Sequence, residues 1–493
     1  MRKSVVSLAL IVITSVVGAG FLGAPSKDAL GAGAAAIQFP ASEFADASPA
    51  CERAPGPQVL TVGLTQDVGT QCAVVALNLP GPNSGESGGS AESATFTNLV
   101  ISGAANAGEP TIGVTPSGAI FFQEFQRNWK SVNGGTSWTL SSIVPPQAGS
   151  LDPMMWVDTI TGRVFVAHLY VGCSQLWWSD ADGASLSWRY NPAACGTPGN
   201  DHLKIATGPF AAPLTGGTAV YPNAVYYCYN GLVYGACSLS PDGGATWNPA
   251  MTLGCGGILG HPHVAADGTL YVPSINCGPN AVLMSTNNGL TYVLRTTGGS
   301  FPSGEALEPD VSTTPDGTLY LAGVVNKGFG KMIPYVFTST NQGLSWTAHD
   351  VTGTTGVQSA VFPVVTTGID GRAAVAFLGT SCTGGPSSVA ATCTWQLYVS
   401  MTYDAGANWD TAQASPAGNP VQRGSICLNG LSCGADRNLL DFIDVTHDNQ
   451  GYVLVAYADG CVSSQCVGAS GTPAQSRAAQ GTVAKQTSGT PLL

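Results

Sequence analysis

Ser131-Val-Asn-Gly-Gly-Thr-Ser-Trp138 is the stretch that decides how this chain folds, because it recurs. The same pattern returns in Ser240-Pro-Asp-Gly-Gly-Ala-Thr-Trp247, Ser285-Thr-Asn-Asn-Gly-Leu-Thr-Tyr292, Ser339-Thr-Asn-Gln-Gly-Leu-Ser-Trp346 and Thr402-Tyr-Asp-Ala-Gly-Ala-Asn-Trp409. A stretched copy is Ser179-Asp-Ala-Asp-Gly-Ala-Ser-Leu-Ser-Trp188. The consensus is Ser/Thr-x-Asp/Asn-x-Gly-x-Ser/Thr/Asn-aromatic. It describes a hairpin turn. The Asp or Asn is expected to cap its own backbone two residues on, and the Gly supplies a positive φ. The aromatic then opens the next strand and packs inward. Six copies, roughly 45–65 residues apart, mark a repeat architecture.

A second repeat precedes each of these turns. Glu109-Pro110, Asp152-Pro153, His261-Pro262-His263, Glu308-Pro309-Asp310 and Phe362-Pro363 each lead through an apolar run to a Gly turn and a second apolar run. Looser copies begin at Asp201-His202 and at Asp441-Phe-Ile-Asp444. Each reads as strand, Gly turn, strand. Seven strand pairs, with Gly481–Leu492 as a degraded third strand and turn, predict an all-β propeller of seven four-stranded blades, six being the alternative count. Thr95–Ile101 is the expected closing strand. Numbered from the axis outward, the eight-residue turn joins strands three and four, and the Gly turn joins strands one and two on the same face. The starts of the first strands then gather on the opposite face, at a central mouth.

Those starts carry Glu109, Asp152, Asp201, His202, His261, His263, Glu308, Asp310, Asp441 and Asp444, with Arg437 just ahead of the last. So many ionisable groups at equivalent places is a concentration, since charged residues make up only 9% of the chain. They read either as a ligand-binding mouth or as strand-entry caps around a water-filled channel. His261 and His263 lie on one side of an extended strand. With carboxylates nearby they would suit a divalent cation, although no cofactor is expected. His168, His349 and His447 read as structural. Trp129, Trp156, Trp177, Trp178, Tyr226, Tyr227 and Tyr229 cluster in the first three blades, many of them expected in the core, and any exposed near the mouth would stack on sugars.

The eight-residue turns resemble the Asp-box, or BNR repeat, of the sialidase superfamily of β-propellers, over about residues 95–493. The resemblance implies, for a true sialidase, three arginines clamping the substrate carboxylate, a Tyr–Glu nucleophile and an Asp acid/base. The usual Phe/Tyr-Arg-Ile-Pro motif is missing here, and the chain has only ten arginines. Arg163 and Arg372 fall on the turn face, and Arg127, Arg423 and Arg437 are the ones expected near the mouth. The reading is therefore an exported bacterial sialidase-like propeller, acting as a monomer, that binds a glycan or an extracellular protein through the mouth face. The alternative is a glycoside hydrolase, either an exo-α-sialidase or another two-carboxylate glycosidase.

Composition sets the remaining bounds. The 64 glycines and 32 prolines suit a turn-rich fold, and the net charge of −12 argues against a nucleic-acid partner. Arg2 and Lys3 precede an uncharged run from Val5 to about Ala24, so residues 1–26 read as a signal peptide, with an uncleaved membrane anchor as the alternative. Residues 27–94 read as an extension ending in a Gly/Ser/Pro linker. The Gly85-Glu-Ser-Gly-Gly89 match to a nucleophile elbow lacks the strand and helix such an elbow needs. Fourteen cysteines fall into seven local pairs: 51/72, 173/195, 228/237, 255/277, 382/393, 427/433 and 461/466. That pattern predicts sequential disulfides in an oxidising compartment.

Overall fold

A computed structural model describes residues 61–64, 71–74 and 93–493, the last span apart from 126, 142–151, 170–173, 185–186, 194–200, 215–218, 232–233, 256–257, 305–307, 434–436, 463–465 and 467–477. The signal-peptide and linker expectations, and the Gly85–Gly89 match, lie outside the described residues. The chain divides into two compact units, Met1–Gly88 and Gly89–Leu493. In the first, Thr61–Leu64 pairs antiparallel with Gln71–Val74.

The second unit is a β-propeller of four-stranded antiparallel sheets, each a meander of consecutive strands. The first sheet runs outward through Thr111–Val114, Ile120–Glu124, Arg127–Ser131 and Thr139–Ser141. The same order repeats in the sheets that begin at Pro153–Val157, Asp201–Gly208 and His263–Val264. The sets beginning at Asp310–Thr313 and Ser359–Thr367 are joined into one larger sheet by a parallel bridge between Met332 and Ser359. The last sheet contains Asp444–His447, Val453–Asp459 and Gln480–Ser488, and its outermost strand is Thr95–Val100. The first and last strands of the second unit thus pair in one sheet, which joins its first and last repeats. The one helical turn among the described residues is Gly430–Cys433.

These residues form strands because apolar side chains fill both faces of the inner ones. Leu319–Asn326 and Ala373–Thr380 are buried along nearly their whole length, as expected where sheets pack face to face. Large rings occupy the wedges between sheets: Trp177, Trp395, Tyr226, Tyr227, Tyr229 and Phe165 are all fully buried.

The repeated turns have one geometry. Gly135 N–H donates to Ser131 Oγ at 2.9 Å, and Ser137 N–H donates to Asn133 Oδ1 at 2.9 Å. The equivalent pairs are Gly244 to Ser240 with Thr246 to Asp242, Gly289 to Ser285 with Thr291 to Asn287, and Gly343 to Ser339 with Ser345 to Asn341. The last is Gly406 to Thr402 with Asn408 to Asp404. The cap therefore reaches four residues on, not the expected two, because the Ser or Thr also takes the Gly N–H and rounds the loop. Gly343 has φ 77°, and a Cβ there would stand 3.0 Å from Trp346. The turns share a face with the Gly turns between strands one and two: Arg163 donates to Gly243 O, and Ser117 to Asp182.

Five of the expected disulfides are present: Cys228–Cys237, Cys255–Cys277, Cys382–Cys393, Cys427–Cys433 and Cys461–Cys466. Cys51, Cys173 and Cys195 lie outside the described residues, and so do the pairs they would make. Among the described residues no helix is long and apolar enough to cross a membrane.

Candidate functional site

The starts of the innermost strands converge as the strand order requires, but the structure sorts them into two sets. In the first set the side chain ties neighbouring sheets together. Asp310 accepts from Val311 N–H and, across to the next sheet, from Val365 N–H, both at 2.7 Å. Asp444 does the same with Val445 N–H at 2.8 Å and Ile112 N–H at 2.9 Å. Thr111 fills this role in the first sheet by accepting from Met155 N–H at 3.0 Å. These residues satisfy backbone donors that the open inner edges would otherwise leave buried and unpaired. Burial holds the Asp310 carboxyl well above the usual carboxylate range and pushes Asp444 up to about 7.

The second set is one ionic network drawn from several sheets. His202 donates through Nδ1 to Glu308 Oε1, and Lys204 Nζ lies 2.8 Å from Glu308 Oε2. Lys204 and Glu308 are each only 1% exposed. The ammonium also sits 4.4 Å from the centre of the Phe442 ring, a cation–π contact. His202 Nε2 is 3.8 Å from Asp201 and 4.0 Å from Asp441. Asp152 accepts the His202 backbone N–H at 3.1 Å and shares a side-chain hydrogen bond with Asp201. Arg437 grips Asp441 with both terminal nitrogens, one at 2.6 Å. Glu109 is buried beside Asp152, Asp441 and Glu308.

The network sets protonation states far apart. Burial works to raise Glu308, but the Lys204 charge and the His202 hydrogen bond outweigh it and hold the carboxyl at about 2. Burial works against charge on His202 too, yet Glu308 pushes it up to about 9. Burial, and behind it the charge of Asp152, keeps Glu109 well above the usual range. Asp152 rises to about 7 through burial and its hydrogen bond with Asp201. On Asp201, partial desolvation works upward, and the Asp152 hydrogen bond and the His202 charge hold it below the ordinary value. Two touching carboxyl groups with values pushed apart form a natural acid–base couple.

The two histidines of His261-Pro262-His263 face different partners. His261 has Nε2 3.7 Å from Glu308 and Nδ1 3.8 Å from Asp444, and burial followed by the Lys204 charge lowers it to about 3. His263 Nε2 meets Thr313 Oγ1 at 2.9 Å, and burial lowers it to about 4. Among the described residues no three His, Cys, Asp or Glu side chains are grouped to hold a metal ion.

The structure adds three details. Glu109, His261, Glu308, Asp310 and Asp441 are buried, and the Asp201 side chain, 55% exposed, reaches water. The aromatic rings are not a sugar platform there, since Trp129, Trp177, Trp178, Tyr226, Tyr227 and Tyr229 are all buried in wedges between sheets. Four of the described arginines are engaged elsewhere. Arg163 pairs with Asp180, Arg372 donates to Pro491 O, Arg295 to Gln342 O, and Arg127 pairs with Glu124. Lys204 and Phe442 were missed. A Lys between Leu203 and Ile205 is a signal of a buried cation.

Backbone strain gathers here as well. Glu109, His202, Phe362 and Leu440 hold φ of 54°, 47°, 57° and 57°, at or just before innermost strands of four sheets. Each costs on the order of 1–2 kcal/mol.

No protein-family model matches the chain, and no curated protein does. Solved structures match at low identity. A protein of unknown function from Dyadobacter fermentans is 14% identical with a TM-score of 0.40, covering 81% of this chain and 99% of that one. An ancestral GH74 enzyme is 14% identical at TM-score 0.42 over 75% of this chain, which spans 46% of that chain's length. The NanB sialidase of Streptococcus pneumoniae is 13% identical at TM-score 0.39, covering 80% and 71%. Likenesses this distant say nothing of substrate or chemistry.

Proposed function

We propose that this chain is an exported sialidase-like β-propeller of seven blades, with Asp-box turns on one face, that binds a glycan or an extracellular protein through the opposite face. One observation carries the reading. A single ionic network, supplied by five sheets, runs from half-exposed Asp201 through His202 to the buried Lys204–Glu308 pair. Desolvating that many charges is costly, and strained residues surround them. A fold that needed only strand ties would be served by the Asp310 and Asp444 arrangement. Binding needs no metal or organic cofactor, and the chain acts as a monomer.

A glycosidase is the second reading, favoured by the split values of Asp152 and Asp201. Against it, the two share a hydrogen bond, closer than the roughly 5 Å that retaining enzymes keep between their carboxyl groups. Arg437, moreover, is already occupied by Asp441.

The test is a panel of immobilised glycans and extracellular matrix proteins, run beside fluorogenic glycosides including a sialoside. Binding that weakens at least tenfold in Asp201→Asn, at unchanged Tm, supports the proposal. Binding indifferent to Asp201→Asn overturns the assigned face. Turnover by the wild type that is lost in Asp152→Asn replaces it with the glycosidase reading.

A further inference from the structure

A cavity lies on the axis of the propeller and opens the other way. It holds about 480 Å³ and is lined by residues of every innermost strand. Its floor is His261, Asp310 and Asp444. Beyond the floor the way is shut: the Phe442 ring lies 4.8 Å from His261 and 4.4 Å from Lys204 Nζ, and Phe442 is itself buried. Its rim contains Ile160, Pro209, Ala266 and Pro315, all exposed and all in the connections between strands one and two. The cavity is therefore a blind funnel entered from the turn face.

We infer that this funnel is a second binding site, separate from the opposite face, for a neutral, hydroxyl-rich ligand of monosaccharide size. The volume falls in the range of small-molecule sites, about 300–1,000 Å³. The wall chemistry selects the guest. Thr367 Oγ1 donates to Thr313 O at 2.7 Å, so at the 2.8 Å contact with Ser312 it is Ser312 that donates and Thr367 that accepts. Both protons are spent, and the remaining lone pairs accept. Thr207 Oγ1 takes the Trp156 indole N–H at 2.9 Å, which leaves the half-buried Trp156 ring as an apolar part of the wall. At the floor, each Asp310 and Asp444 oxygen takes one backbone N–H, and with both carboxyls raised by burial the floor offers O–H donors beside its remaining lone pairs. The wall is thus rich in acceptors, and no Lys or Arg lines it. An anionic guest finds no counter-charge. A guest with many O–H donors finds acceptors at several depths, and its C–H face finds an indole. An ammonium ion would need its acceptors at one focus, whereas here they are spread along the funnel.

The experiment is titration calorimetry of the full chain with D-glucose, D-galactose, N-acetylglucosamine, N-acetylneuraminic acid and butylammonium, with tryptophan fluorescence as a second readout. A neutral sugar is expected to bind with Kd on the order of 1 mM. Thr367→Val and, independently, Ser312→Ala should weaken it at least tenfold. The fluorescence change should vanish in Trp156→Phe. Two variants are used so that a fold defect in one, seen in its Tm, leaves the other decisive. Failure of all three neutral sugars at 50 mM overturns the inference, as does binding unaffected by either folded variant. Preference for butylammonium or for the acidic sugar overturns the ligand class. A ligand held on the opposite face would leave the Thr367 and Trp156 readouts unmoved, so the two sites are told apart.

Discussion

The two ends of the inner hairpins follow different rules. On the turn face the caps are local: Ser131 bonds to Gly135 and Asn133 to Ser137, four residues on, and the pattern recurs in sheet after sheet. At the opposite end the partners are remote. His202 meets Glu308 across 106 residues, and Asp444 meets Ile112 across 332. Local bonds can be lost one at a time. The remote network is a set of buried charges that balance one another, so removing one leaves the rest uncompensated.

That contrast can be broken most directly at Lys204. Lys204→Met leaves Glu308 buried without its cation and should cost about 3–5 kcal/mol by chemical denaturation. Adding Glu308→Gln should recover most of the loss. A cost below about 1 kcal/mol would mean that the charges are not coupled as described.

The second lever is pH. His202 has a folded value of about 9, above its ordinary 6.5, so its contribution is full below 6.5 and fades as pH rises through 9. Asp152 and Asp444, raised to about 7, likewise contribute at low pH and lose that contribution as pH climbs through 7. His261 and His263 act in the opposite sense, but only below 6.5. Stability should therefore fall steadily from pH 6.5 to 9, and His202→Gln should flatten the upper part of that slope. A rise over this window would contradict the assigned network.

The turn face supplies the smaller effects. Gly343→Ala forces a Cβ into φ 77° and against Trp346, and should cost about 1–2 kcal/mol. Asn341→Ala removes the Ser345 cap and should cost about 0.5–1.5 kcal/mol. Combined with Asp404→Ala in the next set of strands, the losses should simply add. Strong non-additivity would show that the turns are as coupled as the charges.

This division also explains how much of the molecule was legible in the chain. The turns, the strand order, the closing strand Thr95–Val100 and the five disulfides rest on patterns within a few residues, or on one count around the ring. The gathering of Glu109, His202, Glu308 and Asp441 followed from strand order alone. Their burial did not, because nothing in Glu308-Pro309-Asp310 reveals that Glu308 faces Lys204 while Asp310 is spent on Val365 N–H. Residue type shows that a carboxylate is present. Which donor uses it depends on a neighbour that only the closed ring brings near.

The strand that closes the ring also fixes a sequence of events. Thr95 meets Ser488 across 393 residues, among the most distant contacts a chain of this length can make. During synthesis Thr95–Val100 emerges before every other strand of the second unit, and its partner Gln480–Ser488 emerges after them. Until then the first strand has no sheet, and the last sheet presents an unfinished edge once it forms. Loop closure over such a span is slow, and waiting edges are where strands pair with the wrong neighbour. Folding of this protein should therefore be limited by one late pairing, with the interval before it the time of greatest exposure to aggregation.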